Sequence, residues 1–578
     1  MTFSSSARRA LLLLSSLACA AAPAQIIGQQ PTPPSPTQSQ PTAPAQTTTT
    51  AQPQATPPTQ PPSAASPQPQ TTAPLQPPVT LAELTANNTS ACPAEGKRPS
   101  HCRETFPGQQ DLRPEVATPM FDPPAGNVSD EDIHSYLTDG QQTKIFANFM
   151  MGFCTGESGP RCHNNVRTGY TSDDDRTVAA QVEDLRRRHI DGAVVSWQGA
   201  GTKEDEATIR LQKYVNARYC AGSQQCDPMY VIMYDGASLS YDVGSTHVHG
   251  TSGDGCGRMR GKDYENCVVA HLRNDMCYLN GTHWGNQAYL KSNGRPVLLI
   301  FPKGGIIPNG GGAPSWDDVW NHVEDWNNKL PKHCGKAPYN ADNGVPLLVF
   351  EHADGFSHPA SSGAYAWVKV AGTNPQRAQY NFDVYQAHDP ASIDAFYQAA
   401  RQHTDKQIWG AAYKGFNSSD AAWGTGRILD QECGRLWMAS LLESKKFFRD
   451  RPLPYLQIVT WNDYNEGTEI ESGIDNCLRV KASVAGNTLS WSLQTASRLA
   501  TLATVSSVEI YDSTDGEHLR LLQRVSPTAT GTYDLSALRP GQHQLYVRMV
   551  GKNSILNRVS AAVPFEKGQG PAAGPGPG

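Results

Sequence analysis

Four carboxylates, Asp463, Glu466, Glu469 and Glu471, crowd into nine positions of the segment Thr460-Trp461-Asn462-Asp463-Tyr464-Asn465-Glu466-Gly467-Thr468-Glu469-Ile470-Glu471. The apolar run Tyr455-Leu456-Gln457-Ile458-Val459 comes immediately before, the pattern of a strand that delivers a polar loop at its end. Carboxylates at that density can do acid–base chemistry. Cleaving an acetal needs one protonated carboxyl to release the leaving oxygen and a second, ionised one to activate water or the substrate. Trp461 and Tyr464 add apolar faces on which a sugar ring stacks, and Asn462 adds an amide beside them. The bland alternative is a solvated acidic loop whose aromatics plug a rim, and the rest of the chain weighs against it.

The elements that would position these side chains lie between Lys144 and Cys477, where short apolar runs alternate with helical patterns as in repeated β-α units. Eight runs stand out: Ile145 to Met151, Gly192 to Trp197, Met229 to Tyr234, Pro296 to Phe301, Pro346 to Phe350, Ala364 to Val370, Gln407 to Tyr413 and Leu456 to Trp461. The clearest helix opens on Asp173, Asp174 and Asp175 and repeats Val178, Val182 and Leu185 on one face before Ile190. Further helices are expected over Glu206 to Arg218, Trp316 to Lys329, Ser392 to His403 and Ile428 to Phe448. Eight strands in this order predict a (β/α)8 TIM-like barrel over residues 144–477, with its active site where the strand C-terminal ends meet. A doubly wound open sheet is disfavoured because the first turn carries no dinucleotide fingerprint.

Polar residues gather at those ends: Trp197 and Gln198, Asp235, Glu351 and His352, Lys414, then Asn462 and Asp463. Asp235 and Glu351 are expected to position substrate, and their bland reading is rim salt bridges. Trp197, Trp461 and Tyr464 are expected as stacking platforms, although an aromatic at a strand end is a core plug almost as often. His352 and His388 could hydrogen-bond sugar hydroxyls, against the commoner structural histidine.

Outside the barrel the texture changes. Arg8 and Arg9, the apolar stretch Ala10 to Ala20 and Ala22-Pro23-Ala24 match a secretory signal peptide over residues 1–24. Residues 25–80 are a Pro, Thr and Gln-rich tether that cannot bury enough apolar surface to order itself, and 81–143 are an irregular lead-in. Residues 478–566 alternate apolar and polar positions, as in Val508 and Ile510 or Leu545, Val547 and Met549, between turns at Asp515-Gly516 and Pro540-Gly541. This predicts a small all-β sandwich of the fibronectin or immunoglobulin kind, followed by a Gly/Pro-rich tail over 567–578. Of 13 cysteines, removing Cys19 with the leader leaves an even number, enough for six disulfides in an oxidising compartment. Neighbours such as Cys154 with Cys162, Cys220 with Cys226 and Cys256 with Cys267 would staple loops, with the connectivity left open. The formal charge of −6 offers no footprint for nucleic acid, and no later segment is a membrane span. The expected product is a secreted, extracellular or periplasmic monomer needing no cofactor and no metal.

The pattern Thr460-Trp461-Asn462-Asp463-Tyr464-x-Glu466 resembles the end of the last barrel strand in the glycoside hydrolase family 71 α-1,3-glucanases, or mutanases. The continuation Glu466-Gly467-Thr468-Glu469-Ile470-Glu471 is similar to the family 99 α-mannan enzymes, which carry Glu where this chain has Asp463. Ala147-Asn148-Phe149-Met150-Met151-Gly152, Ile190-Asp191-Gly192-Ala193-Val194-Val195 and Tyr234-Asp235 extend the likeness over most of the barrel. The resemblance implies that Asp463 and Glu466 are the catalytic pair, Glu466 as general acid and Asp463 as general base, acting on a polysaccharide substrate. The chain departs from the mutanase pattern at Gly467-Thr468 and in an insertion from Val243 to Cys277, which leaves the glycan open. The competing class is a non-catalytic glycan-binding surface protein on the same barrel. A serine hydrolase is disfavoured because no Gly-x-Ser-x-Gly elbow occurs, and His247-Val248-His249 lacks the spacing of a metal helix.

Overall fold

All eight apolar runs become strands of one sheet: β1 Lys144–Phe149, β2 Gly192–Trp197, β3 Met229–Asp235, β4 Arg295–Phe301, β5 Leu347–Glu351, β6 Gly363–Tyr365, β7 Gln407–Ala412 and β8 Tyr455–Ile458. The computed structural model describes residues 79–80, 128–152, 172, 174–220, 229–235, 247–248, 251–252, 261–301, 334, 344–368, 391–418 and 428–568, all within the unit 76–578. Each strand pairs in parallel with the next, β8 pairs with β1, and β4 meets β3 with Asp235 opposite Phe301. The sheet is therefore closed, an eight-stranded TIM-like barrel.

Strands buried on both faces must be apolar at every position, which is why these runs lack alternation. Their period of two still sorts them. Phe146, Val194, Met233, Leu299, Val349, Tyr365 and Trp409 fill the barrel interior. The intervening Ala147, Val195, Ile232, Leu298, Phe350 and Ile458 face outward into a core shared with Val178, Val182 and Leu185 of helix α1, Asp175–Arg187. Asp174 caps α1 by accepting from the Arg176 N–H, and Thr202 does the same for α2, Lys203–Tyr219, through the Asp205 N–H.

Helices α3, Gly261–Leu279, α4, Ala391–Ala400, and α5, Arg435–Phe447, complete the described set. Two differ from expectation. Helix α3 occupies much of what reads as a Gly, His and Cys-rich insertion. The helix expected from Ile428 starts only at Arg435: Ile428–Leu429 pairs instead with Phe416–Asn417, and left-handed backbone at Cys433 (φ 54°) and Gly434 (φ 79°) keeps the helix from starting earlier. The expected helix over Trp316 to Lys329 lies outside the described residues.

Past the barrel, β9 Leu478–Ala485, β10 Thr488–Thr495 and β13 Thr530–Asp534 form one antiparallel sheet. The second is built on β11 Val505–Ser513, β12 His518–Val525 and β14 Gly541–Gly551, with β15 Arg558–Val559 and β16 Val563–Lys567 at its edge. Leu489, Trp491 and Leu493 of the first sheet pack against Val508, Ile510, Leu545 and Val547 of the second. The N-terminal pair Val79–Thr80 adds antiparallel to β12. Barrel and sandwich are joined by the Cys433–Cys477 disulfide and by Asn553, whose side-chain N–H groups donate to the carbonyls of Glu131 and Arg188. A second disulfide links Cys277 to Cys334. Both span far more chain than the neighbouring pairs expected from sequence, each of which has at least one member outside the described residues. Among the described residues no helix is long and apolar enough to cross a membrane.

Candidate active site

The acidic segment leaves β8 firmly anchored. The Trp461 N–H donates to the Asn148 carbonyl at 2.7 Å, and the Asn462 amide accepts from the Met150 N–H (2.8 Å) and donates to the Met150 carbonyl (3.1 Å). Asn462 thus ties the ends of β8 and β1 together. The Asp463 N–H donates to Thr460 Oγ1 (2.9 Å), and Asp463 Oδ1 accepts the N–H groups of Asn465 (3.1 Å) and Glu466 (3.0 Å). That is an Asx turn, which reverses the chain and brings Glu466 beside Asp463 instead of alternating them across a strand. The return is clasped by the Thr460 and Thr468 hydroxyls, 2.8 Å apart, and by the Thr468 N–H donating to the Asp463 carbonyl at 3.2 Å.

Asp463 is 5% exposed. Burial pushes its carboxyl up to about 6, opposed by the two backbone N–H donors and reinforced by the charge of Glu469. Among the described residues no cationic side chain pairs with it. Glu469 is also buried, but it meets Lys414 Nζ at 2.9 Å with both side chains wholly enclosed. Glu466 is half-buried, and its backbone carbonyl accepts the Asn417 N–H at 2.6 Å. Glu471 serves the wall. It accepts from Gln181 Nε2 (2.6 Å) and the Tyr464 hydroxyl (2.9 Å), while its carbonyl and that of Ile470 accept from the buried Arg188 guanidinium.

On the opposite strands, Asp235 sits 3.5 Å from Gln198 Nε2, and Glu351 meets His352 Nε2 at 3.1 Å. Both carboxylates bear on the hydroxyl of Tyr365, which burial first and then Glu351 and Asp235 push far above its usual range. Asp235 and Glu351 share the inward parity of Met233, Val349 and Tyr365, so the structure gathers them on one side of the barrel mouth, with His352 held against Glu351, and sets Asp463 with Glu466 at another strand end.

The three aromatic platforms are corrected. Trp197 has the parity of Val195, faces the helices, is wholly buried and donates its indole N–H to Asp205 at 2.9 Å. Trp461 is equally buried, with its N–H on Gln181 Oε1 (2.5 Å) and the Arg188 guanidinium 4.8 Å from its ring. Tyr464 is 3% exposed and held by Glu471. A side chain with no exposed face cannot stack a sugar, so these three build the wall. His388 lies outside the described residues.

Sequence reasoning passed over Asn148 and Gln457. Asn148, buried, donates to Met233 Sδ at 3.5 Å, and Gln457, buried, reaches past β7 to the Ala366 carbonyl at 2.5 Å. The signal was available: each is a lone amide at an inward position of an otherwise apolar strand. No such signal marked Asp205, which on α2 gathers Trp197, His283 Nε2 (3.0 Å), Tyr278 and the Gly201 N–H.

No family model matches the chain, and no curated protein matches it. Among solved structures it is similar to the GH99 endo-alpha-mannosidase from Bacteroides thetaiotaomicron, at 14% identity over 57% of this chain and 87% of that one, with a TM-score of 0.36. A glycoside hydrolase-like protein gives 13% identity, 63% and 92% coverage and a TM-score of 0.36. The beta-glucuronidase of Parabacteroides merdae gives 8%, 74% and 49%, with a TM-score of 0.31. At those scores the likenesses carry no argument, and the closed strand order establishes the barrel by itself.

Proposed function

We propose that the chain is a secreted glycoside hydrolase that cleaves an α-linked polysaccharide, in first place an endo-α-1,3-glucanase, with Asp463 and Glu466 as its carboxylate pair. The observation that carries this reading is the Asx turn at the end of β8. It sets two carboxyl residues side by side at the barrel face where this architecture holds its chemistry, one of them titrating near pH 6. The Trp-Asn-Asp-Tyr-x-Glu pattern, with its mutanase resemblance, supplies the substrate class.

Asp463 is the general base. Its Oδ1 accepts two backbone N–H groups, an arrangement that suits the anion, and a base is most effective when its pKa lies near the working pH. Glu466, less enclosed, donates the proton to the departing glycosidic oxygen. Asp235, Glu351 and His352 position the sugar from the other side of the mouth. The base must be ionised, so turnover rises with pH through about 6; a limb near 6 that instead falls with rising pH would make Asp463 the acid and exchange the two roles.

The test is to incubate the purified chain with α-1,3-glucan, α-mannan and β-linked polysaccharides and to size the products. Oligosaccharides from α-1,3-glucan support the first reading. Products from α-mannan alone favour the family 99-like alternative, for which the similarity of Glu466-Gly467-Thr468-Glu469-Ile470-Glu471 speaks. Binding with no product favours a glycan-binding surface protein.

A further inference from the structure

The segment that follows β7 grips the acid–base loop at two points: Lys414 Nζ holds Glu469 Oε1 at 2.9 Å, and the Asn417 N–H holds the Glu466 carbonyl at 2.6 Å. Glu469 adjoins Thr468, whose N–H and hydroxyl clasp Asp463 and Thr460. An ion pair taken wholly out of water loses hydration that its own attraction does not reliably return, and replacing such pairs with neutral residues is often harmless to stability. A fully enclosed pair beside Asp463 therefore needs another explanation. Resting on the reading above, we propose that Lys414 and Glu469 are positioning residues of the hydrolytic site: the pair locks the loop 463–469 in its reversed form and presents a fixed carboxylate to Asp463, setting the acidity of the base.

The charged groups around Asp463 make the assignment specific. Its own segment carries Glu466, Glu469 and Glu471; Lys414 comes from the segment after β7, and Arg188 from the end of α1. Arg188 is committed to Asp184 and to the carbonyls of Ile470 and Glu471, and Glu471 is committed to Gln181 and Tyr464. Glu469 is the carboxylate whose charge adds to burial in raising Asp463. Glu469, and not Lys414, is among the groups that shift Asp463, so the carboxylate is the member of the pair that acts on the base.

Two variants of the full chain test this, E469Q and the neutral pair K414M/E469Q, the second guarding against misfolding from a buried lysine that has lost the Glu469 charge. Asp463 is followed directly, by ¹³C NMR of carboxyl-labelled aspartate with D463N as the assignment control. Its titration midpoint is expected to fall by about one pH unit in both variants, a tenfold weaker hold on the proton, and the acid limb of kcat/KM on α-1,3-glucan is expected to move with it. A purely structural pair would lower the melting temperature and leave that midpoint in place. Folded variants in which Asp463 titrates within about 0.3 of the unaltered chain overturn the proposal. The NMR measurement needs no turnover, so a chain that cleaves none of the glycans would sink the proposed activity while the titration still decides the role of the pair.

Discussion

The barrel mouth and the sandwich both bury acids, and they treat Asp463 and Glu509 oppositely. In the sandwich, Glu509 takes Arg524 at 2.6 Å and Arg548 at 3.1 Å, and Asp512 takes Arg520 (2.9 Å) and His543 (2.7 Å). At the junction, Asp475 takes Arg479 and Arg558 (2.8 and 3.2 Å), which outweigh its burial and hold its carboxyl below the usual range. At the mouth, Asp463 has two backbone amides, a neighbouring carboxylate and no cation among the described residues, and burial dominates. A buried acid matched by guanidinium is a structural fitting. One left unmatched at a strand end is costly to the fold and useful to proton transfer.

Function gives the largest expected contrast. E466Q and D463N should each lower glycan hydrolysis by roughly 10³-fold with the fold intact, because each removes a proton transfer used only in the transition state. E509Q should leave hydrolysis unchanged. Initial rates and far-UV circular dichroism on the same preparations check both. Near-normal rates in E466Q would erase the distinction between the two regions.

Stability gives the next contrast, with opposite signs. E509Q takes the carboxylate away from Arg548 and Arg524, and since breaking a buried pair from one side typically costs 3–5 kcal/mol, a loss of about 3 kcal/mol is expected because Arg524 is itself exposed. D463N should stabilise. A carboxyl titrating near 6 instead of 3.8 weakens the folded state as pH rises between those values, by about 3 kcal/mol at neutrality, and the amide escapes that penalty. Asp475 runs the other way: its depressed carboxyl contributes stability above the ordinary aspartate range that is lost as pH falls through its folded value. Denaturant unfolding at pH 3, 5 and 8 should therefore show D463N gaining most at pH 8, about half as much at pH 5 and almost nothing at pH 3. A D463N chain weaker than the original at pH 8 would mean the carboxylate is matched after all.

The same contrast marks how far the sequence could be read. The barrel was legible because eight apolar runs repeat at β-α spacing, and hydrophobic periodicity depends only on near neighbours along the chain. The acidic turn was legible because Asp463 and Glu466 lie three apart in a segment that cannot continue as a strand. What stayed hidden is contact between distant positions: Lys414 meeting Glu469, Asn462 closing on Met150, and Asp475 choosing Arg558. No local pattern encodes those partners. The aromatic residues failed for a narrower reason. Being at a strand end says nothing about which side of the sheet a ring occupies, and a one-residue difference in parity turned Trp197 from the mouth to the helices.

Trp197 supplies the finest test of that division. As a platform it would hold substrate, and W197F would weaken binding while leaving stability nearly unchanged, since a ring exposed to the mouth contributes little to the core. As placed, its indole N–H is one of several donors converging on Asp205, a hub that also takes His283, Tyr278 and the Gly201 amide. Phenylalanine keeps most of the buried area and deletes that donor. The expected outcome is a loss of about 1.5 kcal/mol, the low end for a hydrogen bond to a charged group because the other donors remain, with KM unaltered. Urea unfolding and KM measured on one preparation separate the two. A raised KM at unchanged stability would return Trp197 to the sugar and place the boundary between wall and site one layer further out.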